Sequence, residues 1–224
     1  KDRMEATFNY VYQEALQTRR DFGFTDTSII YVQQNLQKEA DRNLFLSQTE
    51  LITATWHSIR GNTSKALEAA KKGYHLNPSN FQFQDFIPML IIEETLREEP
   101  DTDVFMDSIT SYETQFPFIW ENENFSDMVV LYFSFAVSDL FLGNAETYGL
   151  EVLAALEETL IKTKFDSTKV TATEVAEAYS QVGTYYYRRK NFQEALVWII
   201  KAENLDPQSE SIIYKAKQIR SKAN

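Results

Sequence analysis

Two histidines, His57 and His75, and two pairs of adjacent acids, Glu93-Glu94 and Glu157-Glu158, are the side chains of this chain best suited to chemistry. Histidine serves as a metal ligand or as a general base near neutral pH, and paired carboxylates serve as acid and base. Spacing argues against both uses. The histidines stand 18 apart with no HExxH-like pairing, so they do not form a two-histidine zinc motif. His57 is expected to pack inside a helical hairpin, and His75 to lie near a helix end beside Tyr74. Neighbours in sequence point about 100° apart on a helix, so each acid pair reads as part of a solvated face. The chain has no cysteine, which removes disulfides, thiolate nucleophiles and Cys-ligated zinc. With only six glycines it carries no GxGxxG, P-loop or GxSxG stretch. No catalytic, cofactor-binding or metal-binding residue is therefore predicted, and an enzyme is not expected.

What must position these residues is an ordinary soluble chain. Its 43% hydrophobic and 25% charged content over 224 residues suits a globular protein, and that length buries a core without staples. The longest apolar run, Met128 to Leu142, is interrupted by Ser134, Ser138 and Asp139, so no membrane span is predicted. The compartment is left open, with the cytoplasm favoured. Because the chain opens on Lys1, a leader or another domain is expected before it.

The charge is unevenly spread. Of a net −11, all the excess lies between Asp85 and Asp127, where twelve acids face one base, Arg97. That segment and the residues just before it hold Phe81, Phe83, Phe86, Phe105, Tyr112, Phe116, Phe118 and Trp120. Two readings stand side by side: a solubilising surface over an aromatic core, or a docking face for a basic partner. Glu98, Glu99, Asp101 and Asp103 are the candidate docking acids, placed in an exposed turn. Basic residues come in short scattered groups, such as Arg19-Arg20 and Lys71-Lys72. Nucleic acid is not an expected partner.

Internal repetition is the strongest signal. Gly183, Ala195, Ala202 and Pro207 follow one another at spacings of 12, 7 and 5, as do Ala54, Ala66, Gly73 and Pro78, at a constant offset of 129. Asn62 and Asn191, Leu67 and Leu196, and Leu76 and Leu205 share that offset, which is near four units of about 34 residues. Small residues at these places let the two helices of a hairpin approach closely. Tyr179, Val182, Tyr186, Leu196 and Ile199 supply the apolar stripes, and Pro207 closes the unit.

This pattern resembles the tetratricopeptide repeat, most clearly over 176–209 and, in its second half, over 47–80. The resemblance implies an all-α fold in which antiparallel helix hairpins stack as a right-handed α-α superhelix. It also implies a concave groove lined by the first helix of each pair. The chain is expected to be a single domain over 1–224, with repeats at about 47–80, 81–117, 125–163 and 171–209. Irregular helices fall within 3–40, and a C-terminal cap over 209–222. Helices are predicted at 3–20, 27–40, 43–60, 63–76, 81–97, 102–115, 125–142, 145–163, 171–189, 192–204 and 209–222. The Gly143-Asn144 pair is matched to Gly61-Asn62 as a third hairpin turn.

The groove stripe is expected to include Gln48, Leu51, Ile52, Thr55 and Ile59 on one first helix, and Glu177, Ser180, Gln181, Thr184 and Arg188 on another. Family members that clamp a terminal carboxylate use Lys and Asn on this stripe, and these places hold other residues here. The expected function is a scaffold or adaptor that binds a protein or peptide partner, an extended peptide or partner helix with basic character. The alternative is a sensing or regulatory domain of a larger protein.

Overall fold

The computed structural model describes residues 39–97 and 101–223, and every regular element among them is helical. Two compact units divide the chain, Lys1–Glu99 and Pro100–Asn224. The first contains α1 (Glu39–Ile59), α2 (Thr63–Leu76) and α3 (Phe81–Leu96). The second contains α4 (Thr102–Gln115), a 3-10 turn (Pro117–Glu121), α5 (Glu123–Leu142), α6 (Glu146–Lys162), α7 (Ala172–Arg188), α8 (Phe192–Leu205) and α9 (Glu210–Ala223). The helices expected within 3–38 lie outside the described residues. A break expected after residue 40 is absent, because α1 runs unbroken through Asp41 and Arg42. The division at residue 99 falls inside the segment read from sequence as one hairpin, 81–117.

Side-chain caps start several of the helices, though not α2, α6 or α7. Asn80, Asp101 and Asn122 accept from the backbone N–H of Gln82, Val104 and Phe125 at 3.1, 3.0 and 3.0 Å. Ser209 Oγ accepts from Ile212 at 3.4 Å. Each satisfies one of the donors that the first helical turn leaves unpaired.

Three hairpins turn in one way. Gly61, Asn144 and Lys190 adopt left-handed φ of 71°, 62° and 61°. The next residue then donates to a carbonyl five back: Asn62 to His57 at 2.9 Å, Ala145 to Leu140 at 2.9 Å, Asn191 to Tyr186 at 3.0 Å. This helix ending satisfies carbonyls that would otherwise be orphaned. Asn144 therefore occupies the place of Gly61, one residue from the match made on sequence. Asparagine tolerates left-handed φ better than most residues, so the turn does not need the neighbouring Gly143.

The corrected register shows what brings each hairpin together. Five residues past the left-handed position stand Ala66, Gly149 and Ala195, all buried. Seven before it stand Ala54, Val137 and Gly183, also buried. A Cβ on Gly149 would lie 2.9 Å from the Phe141 ring, and one on Gly183 would lie 3.2 Å from the Ala195 carbonyl oxygen. In the α5–α6 hairpin the first-helix place holds the larger Val137 and the second-helix place the smaller Gly149. The next turn also repeats: Asn77 donates to Gly73 at 3.1 Å and Asp206 to Ala202 at 3.0 Å.

Each unit has its own core. In the first, α3 lies against α2, with Phe83, Ile87, Leu90 and Ile91 buried. Ser47 Oγ donates to the Gly73 carbonyl at 2.9 Å, Thr63 Oγ1 to Glu93 at 2.7 Å, and Arg97 to the Gly61 carbonyl at 3.0 Å. In the second, α7 packs between α5 and α8, and α9 covers α8. Phe105 of α4 stacks on Tyr132 of α5 at 3.7 Å between ring centroids and meets Phe133 edge-on.

Candidate partner-binding face

The sequence-predicted stripe is partly covered. On α1, Gln48, Leu51 and Thr55 are half-buried and Ile59 is 69% exposed, but Ile52 is buried at 6%. On α7, Glu177, Gln181 and Thr184 are half-buried and Arg188 is exposed, but Ser180 is fully buried. The reason at Ser180 is α9. Lys215 Nζ reaches from that helix to donate to Ser180 Oγ at 2.8 Å and to Glu177 Oε1 at 3.3 Å. Ser180 thus faces the next helix, and Ile52 belongs to the core; neither is a surface residue.

Among the candidate docking acids, Glu98 and Glu99 lie outside the described residues. Asp101 and Asp103 are exposed. Asp101 also caps α4, and the Asp103 carboxylate is hydrogen-bonded with Tyr148, which together with burial raises that phenol above its ordinary pKa. Of the nearby aromatics, Phe83, Phe105 and Phe116 are fully buried, whereas Phe81 is 69% exposed.

The residues best suited to chemistry are otherwise engaged. Glu157 holds Lys201 at 2.5 Å and accepts from the Tyr179 hydroxyl at 3.4 Å, while Glu158 pairs with Lys162 at 2.9 Å. Tyr179 is raised far above the ordinary phenol range by burial and by the Glu157 charge. His57 is half-buried, with its pKa lowered by burial and by Lys65 and Arg60. Among the described residues no group of three or more His, Cys, Asp or Glu could hold a metal ion.

A different stripe emerges on α5. This helix buries Phe125, Ser126, Val129, Val130, Phe133, Ser134, Val137 and Phe141 on one side. The opposite side still exposes Met128 at 38%, Phe135 at 59% and Leu142 at 49%, with Leu131 half-buried between them. Positions 128, 131, 135, 138 and 142 alternate steps of three and four, the spacing of a helix-packing seam. At 1.5 Å per residue the seam is about 21 Å long. Asp127 is half-buried and Asp139 exposed along its margins.

Helix α7 continues the same face. The two helices run parallel: Glu123 and Lys169 pair at 3.6 Å at their N-terminal ends, and Phe141 meets Tyr185 at 5.2 Å at their C-terminal ends. Counted from the left-handed turn residues, Met128, Leu131, Phe135, Ser138 and Leu142 correspond to Glu174, Glu177, Gln181, Thr184 and Arg188. The stripe expected on α7 therefore has a neighbour on α5, apolar where α7 is polar. Sequence reading missed it because a helix apolar nearly all round reads as core. The discriminating signal was the alternating seam, readable once the turn was registered on Asn144.

By length and composition α5 is also apolar enough to cross a membrane, though 44% of its most apolar window is buried. Packing against α4, α6 and α7 accounts for that apolar side. No protein-family model matches the chain, and no curated protein matches it significantly.

Proposed function

We propose that this chain is a tetratricopeptide-like helical-repeat protein, its hairpins stacked as a right-handed superhelical solenoid, and that it works as a scaffold binding a polypeptide partner. The partner lies on the face formed by α5 and α7. The exposed seam Met128, Leu131, Phe135 and Leu142 carries this reading, because a run of large apolar side chains along an exposed helix is costly in water and marks a contact surface. The repeated hairpin turns and their small crossing residues support the repeat assignment. The mixed stripe beside the seam, Glu177, Gln181, Thr184 and Arg188, supplies polar partners at its edge.

The test is photo-crosslinking in the native host, with a photoreactive phenylalanine analogue at Phe135 and a control at the exposed position Lys217. A polypeptide adduct at Phe135 that is absent at Lys217 supports the reading. Adducts at Lys217 alone would overturn it.

A further inference from the structure

We infer that the partner is an amphipathic helix with one basic end, laid along the α5 seam with that end over Asp127 and Glu174. This rests on reading the α5–α7 face as the binding surface. The seam's alternating steps of three and four suit another helix, because a helix places its own apolar residues at the same intervals. An extended peptide repeats every two residues and would meet the seam out of step.

Charge fixes the orientation. Helix α4, the 3-10 turn and α5 contain no lysine or arginine. At the N-terminal end of the seam stand Asp127, Glu174 and, just before α5, the exposed Glu121, beside the Glu123–Lys169 pair, whose charges cancel. One carboxylate oxygen of Glu174 is enclosed and accepts no hydrogen bond from the described residues. A lysine or arginine from a partner would meet the exposed Glu121 and the half-buried Asp127 of this acidic end, and a charge-assisted bond of that kind is the stronger sort. The other end carries one acid, Asp139, and one base, the exposed Arg188, whose position matches Leu142. The face is therefore acidic at one end and neutral at the other. A second copy of this chain would bring a single Arg188 against three carboxylates, leaving the acidic end unbalanced.

Two synthetic helices of about five turns test this, each with leucine at the alternating three- and four-residue steps. One carries four lysines flanking the seam at one end, and the other carries glutamates at the same places. Fluorescence anisotropy with the full chain should show the lysine peptide binding about tenfold tighter, as expected for several partly exposed ion pairs. Raising salt to about 1 M should remove most of that margin. A D127K/E121K variant, which makes the acidic end net positive, should favour the glutamate peptide, and Phe135→Asp should abolish both interactions.

Equal affinities that Phe135→Asp still abolishes would overturn the basic-end inference while leaving the binding face standing. Binding indifferent to Phe135→Asp, or no binding at all, would overturn the face itself. A concentration-dependent dimer of the parent chain, lost in Phe135→Asp by sedimentation, would replace the helix with a second copy. Should D127K/E121K fail to fold by circular dichroism, the salt titration of the two peptides decides.

Discussion

The tip of the Phe83 ring lies 2.3 Å from the point that a Cβ on Gly73 would occupy. The ring crosses the last turn of α2 at a spot that only a bare backbone can offer. At the offset of 129, Ala202 stands for Gly73 and Ile212 for Phe83. One unit combines the smaller residue with the larger partner, and the other evens them out, so the summed volume is nearly kept.

Gly73→Ala should therefore destabilise the protein. Alanine gains up to about 1 kcal/mol of helix propensity over glycine, but displacing a fully buried ring costs about 1–3 kcal/mol. The urea midpoint should fall with the slope unchanged. Adding Phe83→Leu should recover part of the loss. A single variant as stable as its parent would mean that the ring moves aside freely.

Ala195→Leu should be more damaging. The site opposite Gly183 is backbone: its absent Cβ would lie 3.2 Å from the Ala195 oxygen and 3.3 Å from the Ile199 nitrogen. Ala195 is itself fully buried. A larger side chain must force α7 and α8 apart, at about 1–3 kcal/mol or more by denaturant titration. An unchanged midpoint would show that the hairpin register is wrong.

Asp101 separates capping from charge. Asp101→Asn keeps an oxygen for the Val104 N–H, so stability should hold, whereas Asp101→Ala should cost about 1 kcal/mol by loss of the cap. Both remove the same negative charge. If the two variants melt alike, the carboxylate matters only through its charge.

Alkaline pH should weaken the protein. Burial, and then the charge and hydrogen bond of Glu146, push Tyr186 from 10 up to about 12. The folded state holds this proton more tightly than the unfolded chain does. Its contribution is thus complete below pH 10 and is lost as pH rises towards about 12. Tyr179 shifts in the same direction. Tyr186→Phe should flatten part of the fall in melting temperature across that window, and an identical pH profile would remove Tyr186 as a cause.

The sequence by itself determined the helices from residue 43 onward, close to their observed ends, and the small residues between them. Ala66, Ala195, Gly73 and Ala202 were legible because close helix packing leaves a fixed spacing. What the sequence could not determine was which side of each helix another helix would cover. Ser180 looked like surface until Lys215 arrived from 35 residues away, and Ile52 went into the core. Helix α5 is apolar nearly all round, a pattern that does not tell core from surface, yet Phe135 stays in water. Periodicity records only that a side is apolar. Whether that side meets a neighbour or solvent depends on packing between segments distant in the chain, which only the tertiary structure decides.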